Sequence, residues 1–463
     1  MDSYYENIRN QNYEKAQRSI EKNKLIKKNR NALLYNLEMG KLYRLQKDYT
    51  NSNIHLNYAD AISENNRKSL GDIVVSNVAN PMLQYYRGED YEQFMMHYYK
   101  ALNYVSMGLT DEAVVEARRI TLSNNTQFNK FKNKEKRYSQ DAFALNLQGM
   151  IYEMAGDMNN AFIAYRNAVE LYQNANNNFY YGVEMPAQLK KDYCRASNAM
   201  GFSTDLFQYE NNICDQVMDS SSENGSLILF IEEGQAPIKE QAEILITSNN
   251  NGIGSFNYID ANGLDANMNF NYASYGIGQE KLTDIRTMRI AMPKYIVQNW
   301  QPKEITVEAN GNQYQPQLAQ NINSIATSTL KERYATELAN ALARQFTKKG
   351  IEKGGQFLAT SIAKNNMKEN KSDTTETQKE ERKEKQNNKA ENIGKAVGFV
   401  FNMINSGTEK ADTRNWQSLP AFVHYVRIPL HAGENKITVD NNGLPTTIIV
   451  QGKKGLQMNT LVL

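Results

Sequence analysis

The stretch Asp141–Tyr172, reading DAFALNLQGMIYEMAGDMNNAFIAYRNAVELY, constrains the fold more than any other part of the chain. Small residues stand at Gly149, Gly156, Ala161 and Ala168, and large ones at Leu147, Tyr152, Phe162 and Tyr165. The spacing predicts two helices joined by a tight turn at Ala155-Gly156-Asp157. Small side chains let the two backbones approach, and the aromatics fill the space beside them.

Related patterns recur upstream. Asn12-Tyr13-Glu14-Lys15-Ala16, with Ile20 one turn on, reads as the opening of a second helix. Leu37–Ala59 places Met39-Gly40, Tyr43, Tyr49, Leu56 and Ala59 at similar offsets, and the run from Tyr91 does so with Ala101, Tyr104, Gly108, Ala113 and Ala117. These units resemble the tetratricopeptide (TPR) repeat, whose ideal period is about 34 residues. Gly40, Ala101 and Gly149 share a repeat position yet lie 61 and 48 residues apart, so inserted helices or loops are expected at Arg67–Leu83 and Asn124–Tyr138. A last helix is expected over Pro186–Met200, with proline at its start and Gly201 at its end. The expectation for 1–222 is an irregular TPR-like solenoid, a class of fold that offers a concave face to partners. Its exposed candidates for partner binding are Tyr104, Glu116, Arg118, Arg119 and Tyr152.

After Ser220-Ser221-Ser222-Glu223-Asn224-Gly225 the period changes. Ser226–Ile231 reads as a strand, followed by candidates at Glu243–Thr247, Met268–Tyr272, Thr287–Pro293 and Ile305–Ala309. Gly252, Gly254, Asn262-Gly263 and Asn310-Gly311 mark turns. Leu318–Lys349 reads as helix, because Ile322, Ala326, Leu330, Tyr334, Leu338, Leu342 and Phe346 recur every four residues. Two small-residue helices are expected at Gly350–Lys364 and Ile393–Ile404, packed on a sheet or partner rather than forming a membrane-active hairpin. Between them, 365–392 carries seven basic and seven acidic side chains and no aromatics, and reads as a mobile linker. Ala421–Ile428, Lys436–Val439, Thr446–Val450 and Gln457–Leu463 are further strands. The fold class expected is α+β: a solenoid, then a sandwich-like β domain split into 224–317 and 409–463 by a helical insertion at 318–408.

Composition narrows the function classes. The 463 residues carry 53 Lys and Arg against 51 Asp and Glu, which gives no footprint for nucleic acid. The basic first 30 residues read as solvated helix faces, or else as a docking surface for anionic lipid or an acidic protein. No apolar run reaches the roughly 18–20 residues of a spanning helix, and Met1 leads into polar sequence rather than a visible signal peptide. Cys194 and Cys214 are either one disulfide or two thiols. His55, His97, His424 and His431 stand in no metal-ligand spacing, with His97 read as a packing residue. Asp260-Ala261-Asn262-Gly263-Leu264-Asp265 is read as a hairpin turn rather than a calcium loop. No catalytic, cofactor-binding or metal-binding residues are assigned, and no cofactor is expected.

Three separated blocks carry a resemblance. The first runs from Gly88-Glu89-Asp90-Tyr91 through His97-Tyr98-Tyr99-Lys100 to Glu116-Ala117-Arg118-Arg119. The second is Glu233-Gly234-Gln235-Ala236-Pro237-Ile238-Lys239. The third is Ala411-Asp412-Thr413-Arg414-Asn415-Trp416, then Leu419-Pro420, Arg427 and Gly433-Glu434-Asn435. Together they resemble a largely uncharacterised family of bacterial TPR-containing outer-membrane lipoproteins, often encoded near penicillin-binding-protein activators and curli-channel-like lipoproteins. The resemblance implies a periplasmic location at the outer membrane, or the cell surface, and a lipid anchor absent from this chain. Physically, Gly234 and Pro237 suit a bend, Asp412 and Arg414 a chain reversal, and Trp416 an anchor for the last strands. The function expected is a non-enzymatic envelope scaffold that binds protein partners. The alternative is a structural subunit of a homo- or hetero-oligomeric complex, with the 318–406 helices between subunits. An envelope enzyme acting on glycan or peptide is a third reading that rests on genomic context alone.

Overall fold

A computed structural model describes residues 1–68, 81–130, 138–201, 214, 224–248, 253–259, 265–271, 287–298, 304–348 and 410–463. The chain is mixed helix and sheet, with helices first and sheets after. Helices α1 (Asp2–Arg9) and α2 (Tyr13–Lys22) precede three hairpins. These are α3 (Ala32–Leu45) with α4 (Tyr49–Lys68), α5 (Asp90–Ser106) with α6 (Thr110–Lys130), and α7 (Ala142–Met154) with α8 (Met158–Gln173).

The hairpins repeat one local chemistry. Each turn holds a left-handed residue, Lys47 (φ 62°), Gly108 (φ 73°) or Gly156 (φ 80°), at the same offset from Gly40, Ala101 and Gly149. One residue further on, the N–H of Asp48, Leu109 or Asp157 donates to the carbonyl of Tyr43, Tyr104 or Tyr152, each at 2.9 Å. This back-bond satisfies carbonyls that the helix end would leave open. Asp141 and Asp157 cap α7 and α8 through the N–H of Ala144 and Asn160. Gly149 is required by packing, since a Cβ there would lie 2.4 Å from the Tyr165 ring. A short ribbon, β1 (Phe179–Tyr180) with β2 (Val183–Glu184), leads into α9 (Ala187–Ala199), where Cys194 is disulfide-bonded to Cys214.

Then come β3 (Ser226–Glu233), β4 (Ile238–Ser248), β5 (Ile253–Ile259), β6 (Asp265–Asn271), β7 (Thr287–Ile296), β8 (Ile305–Ala309), β9 (Asn312–Tyr314) and β10 (Gln317–Asn321). Helix α10 (Ile322–Lys348) follows, and β11 (Phe422–Pro429), β12 (Gly433–Asn441), β13 (Leu444–Gly452) and β14 (Leu456–Val462) close the chain. Among the described residues they form three four-stranded sheets, ordered β10-β11-β3-β14, β13-β12-β8-β9 and β6-β5-β4-β7. Strands from both sides of α10 therefore share sheets. Asn310-Gly311 and Asn442-Gly443 make two-residue hairpin turns with positive φ at both positions.

Strand β3 explains its unbroken apolar run, because it is buried along its whole length. Ile228 and Phe230 join a core shared with the helices, while Leu227, Leu229 and Ile231 join a second core with Ile305, Val307, Ile437 and Val439. Period-two alternation thus sends one strand into two different interiors.

Several expectations are corrected. Helix was expected from Leu318, but 317–321 is strand β10, paired with β11 from Gln317↔Tyr425 to Asn321↔Phe422. The ladder overrides the four-residue periodicity there, and the Asn321 side chain, accepting from Ser324 N–H at 3.0 Å, starts the helix one residue later. From Ile322 onward Ala326, Leu330, Tyr334 and Leu338 are buried on one face. Gly254 lies within β5 rather than in a turn. The helix of the third hairpin's predecessor continues through 124–130, where a loop or extra helix was expected. The segments 350–364, 365–392 and 393–404, and 260–264 of the calcium-like loop, lie outside the described residues.

Gly149→Ala is expected to lower stability by about 1–3 kcal/mol through overpacking against Tyr165. Thermal unfolding checks this, and an unchanged melting temperature would show that α7 and α8 do not meet as described.

Candidate functional site

The helices and the β10-β11-β3-β14 sheet meet along a seam fastened by buried charges. Glu232, at the helix-facing end of β3, accepts from Tyr98 and Tyr99 hydroxyls at 3.1 Å each and pairs with Lys41 Nζ. Lys41 Nζ also donates to Tyr99 Oη at 2.6 Å and sits 4.2 Å from that ring's centroid. Burial lowers the Lys41 pKa, with Glu232 pulling the other way. Further along the seam, Arg427 of β11 holds Glu153 and Asp192 at 2.6 and 2.9 Å, tying the sheet to α7 and α9.

Glu89 and Glu92 of the first sequence block, Pro237 and Lys239 of the second, and Asn415 and Trp416 of the third come together beyond Glu232. Glu89 caps α5 in a reciprocal box with Glu92, and its carboxylate meets Lys239 at 2.6 Å and Arg333 at 2.7 Å. Burial pushes Glu89 upward, but the two cations outweigh it and hold its pKa at about 2. Asn415 donates to the Pro237 carbonyl at 2.9 Å, and Trp416 N–H donates to Glu92 at 2.7 Å. Gly234, with φ 63°, turns the chain out of β3 toward Pro237 and β4. Asp412 accepts from Arg414 N–H and Nε, and Arg414 reaches the carbonyls of Gln84 (2.9 Å) and Pro81 (3.2 Å). Trp416 is fully buried, its ring 5.8 Å from that of Tyr99.

Two carboxyls in this region sit on pKa values of about 7. Glu38 is raised by burial, against hydrogen bonds from Ser418, Tyr5 and Tyr4. Glu92 is raised by burial and by neighbouring Glu89.

The expected partner-binding residues are not presented together. Tyr152 is buried and Tyr104 half-buried, because both pack into the core beside their own hairpin turns. Glu116 was expected at the surface but is 4% exposed. It meets His97 at 3.1 Å and Lys100 at 2.9 Å, inside a cluster that Asp60 and Arg119 complete. Burial raises the Glu116 pKa, and His97 and Lys100 bring it below the ordinary value. Arg119 is half-exposed and spans to Asp60 at 2.5 Å, while Arg118 is exposed.

One feature that sequence reasoning missed lies where the second and third blocks approach α1 and α3. It is a cavity of about 350 Å³ lined by Arg9, Lys41, Glu232, Gln235, Ser418 and neighbouring apolar side chains. Its residues come from six separated segments, so no local pattern could announce it. Among the described residues no group of three or more His, Cys, Asp or Glu could hold a metal, and no helix is long and apolar enough to cross a membrane. Comparisons of the chain with protein-family models, curated proteins and solved structures return no match.

The two raised carboxyls give a pH signature. Between about pH 4.5 and 7 the native chain holds protons that unfolded Glu38 and Glu92 have released. The stability they contribute is therefore full below the unfolded pKa and is lost as pH rises through about 7. The scale is on the order of 3 kcal/mol per group. His424, lowered to about 4 by burial, acts in the opposite direction below its unfolded value, so the comparison is made between variants. Relative to wild type, the Glu38→Gln/Glu92→Gln double variant is expected to gain in melting temperature as pH rises from about 4.5 to 7, and to gain no more above that. Parallel wild-type and variant curves would refute the assignment.

Proposed function

We propose that this chain is a non-enzymatic scaffold of a bacterial cell envelope. In this reading its three hairpins are an irregular TPR-like array, docked on a sandwich-like β domain with a helical insertion. Protein partners bind the array on its outer side, and a lipid anchor attaches the protein to the outer membrane. The resemblance of the three blocks to the lipoprotein family supports the compartment, and so does the Cys194–Cys214 disulfide, which persists in oxidising surroundings.

The observation that carries the reading is the division of labour between the helices. The first helices of the hairpins are committed to the chain's own sheet. Lys41 of α3 pairs with Glu232, Arg44 donates to Thr460 at 3.0 Å, Tyr98 of α5 donates to Glu232, and Asn146 of α7 donates to Tyr425 at 3.2 Å. The second helices carry the exposed apolar side chains: Ile54 and Tyr58 on α4, Val115 on α6 and Ile163 on α8. Arg118 lies near Val115 on the same helix, exposed. The partner surface is accordingly moved from the inner face to the outer one.

Ile54→Asp, Val115→Asp and Ile163→Asp combined are expected to abolish co-purification of envelope proteins with the chain from membrane extracts, with an unchanged melting temperature. Retention of the same partners by this variant, or recovery of the native product only from cytosol, would sink the proposal.

A second reading, an oligomeric structural subunit, is favoured by β13. This edge strand pairs only with β12 among the described residues, carries no charge, and exposes Leu444 and Ile449. Uncharged edges invite pairing with another strand. Ile449→Lys is expected to convert an oligomer to monomer in light scattering, and a wild-type monomer at high concentration excludes this reading.

A further inference from the structure

We infer that the cavity between α1, α3 and the ends of β3 and β14 is a binding site for a medium-chain monocarboxylate, an apolar chain ending in one carboxylate. The inference is independent of the scaffold reading, which uses the outer helices.

Charge decides the polar end of the ligand. Among the lining side chains those charged at neutral pH are Arg9, Lys41 and Glu232, while the Tyr13 phenol stays neutral. Glu232 is already spent, since both of its oxygens accept hydrogen bonds and Lys41 neutralises it. Lys41 gives one N–H to Glu232 and one to Tyr99, which leaves a third on a side chain that lines the cavity. Arg9 is exposed at the rim and donates from Nη1 to Gln235 Oε1 at 3.0 Å. Its remaining guanidinium donors have no acceptor among the described residues. The lining side chains thus sum to one positive charge, held by a planar fork suited to a carboxylate.

The walls decide the rest. Ile8, Leu45, Pro420 and Val462 contribute an apolar lining, and the rim amide of Gln298 is occupied by the Ala236 carbonyl at 2.9 Å. At about 350 Å³ the space lies at the small end of ligand pockets, which run from about 300 to 1,000 Å³. It equals roughly a dozen waters at about 30 Å³ each, so a ligand of about that many non-hydrogen atoms fills it. A ten-carbon carboxylate has this size. A dianionic phosphate would leave the apolar wall uncovered and bring one charge more than the lining compensates.

The test is calorimetric titration of the full chain with decanoate, below its micelle threshold, beside decan-1-ol, acetate and inorganic phosphate. Saturable one-site binding of decanoate is expected, weakened about tenfold or more in Arg9→Gln, the loss of one charge-assisted contact. Decan-1-ol is expected to bind at least tenfold more weakly, and acetate and phosphate not detectably. Arg9 is exposed, so Arg9→Gln should melt with wild type. Val462→Trp, which fills the cavity, is expected to block decanoate without disturbing capture of envelope partners. The absence of saturable binding, equal binding of the alcohol, or indifference to Arg9→Gln overturns the proposal. Failure of the partner experiment alone leaves it standing.

Discussion

Glu232 sits at the end of a strand buried on both faces, where a lone carboxylate would cost several kcal/mol to keep ionised. It is kept there by Lys41 from α3 and by two tyrosine hydroxyls from α5. Removing one partner of such a pair typically costs about 3–5 kcal/mol, because the other charge is left buried and unmatched. The helices and the sheet are therefore coupled by electrostatics as well as by their shared apolar core. An array of hairpins that would otherwise leave its inner face open to a foreign segment closes on a segment of its own chain.

The same logic recurs at the other fastenings. Glu89 with Lys239 and Arg333, and Glu153 and Asp192 with Arg427, join elements far apart in sequence, while Asp60 and Glu116 with Lys100 join the successive helices α4, α5 and α6. Many charged side chains that look available in the sequence are consumed in this way. The unusual number of buried tyrosines belongs to this design, since a phenol covers apolar surface and donates one hydrogen bond to a carboxylate. With many interior polar groups directed at each other, the proposed binding surfaces fall on the second helices of the hairpins, on the edge strand β13 and on the rim where Arg9 keeps spare donors.

Convergence of the three blocks gives their separation in sequence a physical meaning. Glu89 and Glu92 from the start of α5, Pro237 and Lys239 from the bend after β3, and Asn415 and Trp416 before β11 bond to each other directly. Loss of the Glu89 carboxylate leaves Lys239 of the second block without that partner, and loss of the Glu92 carboxylate leaves the Trp416 N–H of the third without its acceptor. The cavity borders this junction through Gly234, Gln235 and Pro420, so the motif residues shape a cavity wall as well as a structural knot.

The sequence by itself determined what depends on nearest neighbours along the chain. Small-against-large spacing marked the helical hairpins, asparagine–glycine pairs marked β turns, and a short apolar run between turn signals marked β3, because these reflect backbone sterics and periodicity within a few residues. Tertiary structure alone decided the rest. The β10 ladder claimed Leu318–Asn321 from a helix-like period, and the packing of α4, α5 and α6 drew Glu116 inside to meet His97 and Lys100. The docking of the sheet withdrew Lys41, Tyr98 and Asn146 of the first helices from solvent and assembled the cavity from segments hundreds of residues apart. Burial and charge pairing are properties of distance in space, and a chain that reverses this often keeps no record of that distance in its local order.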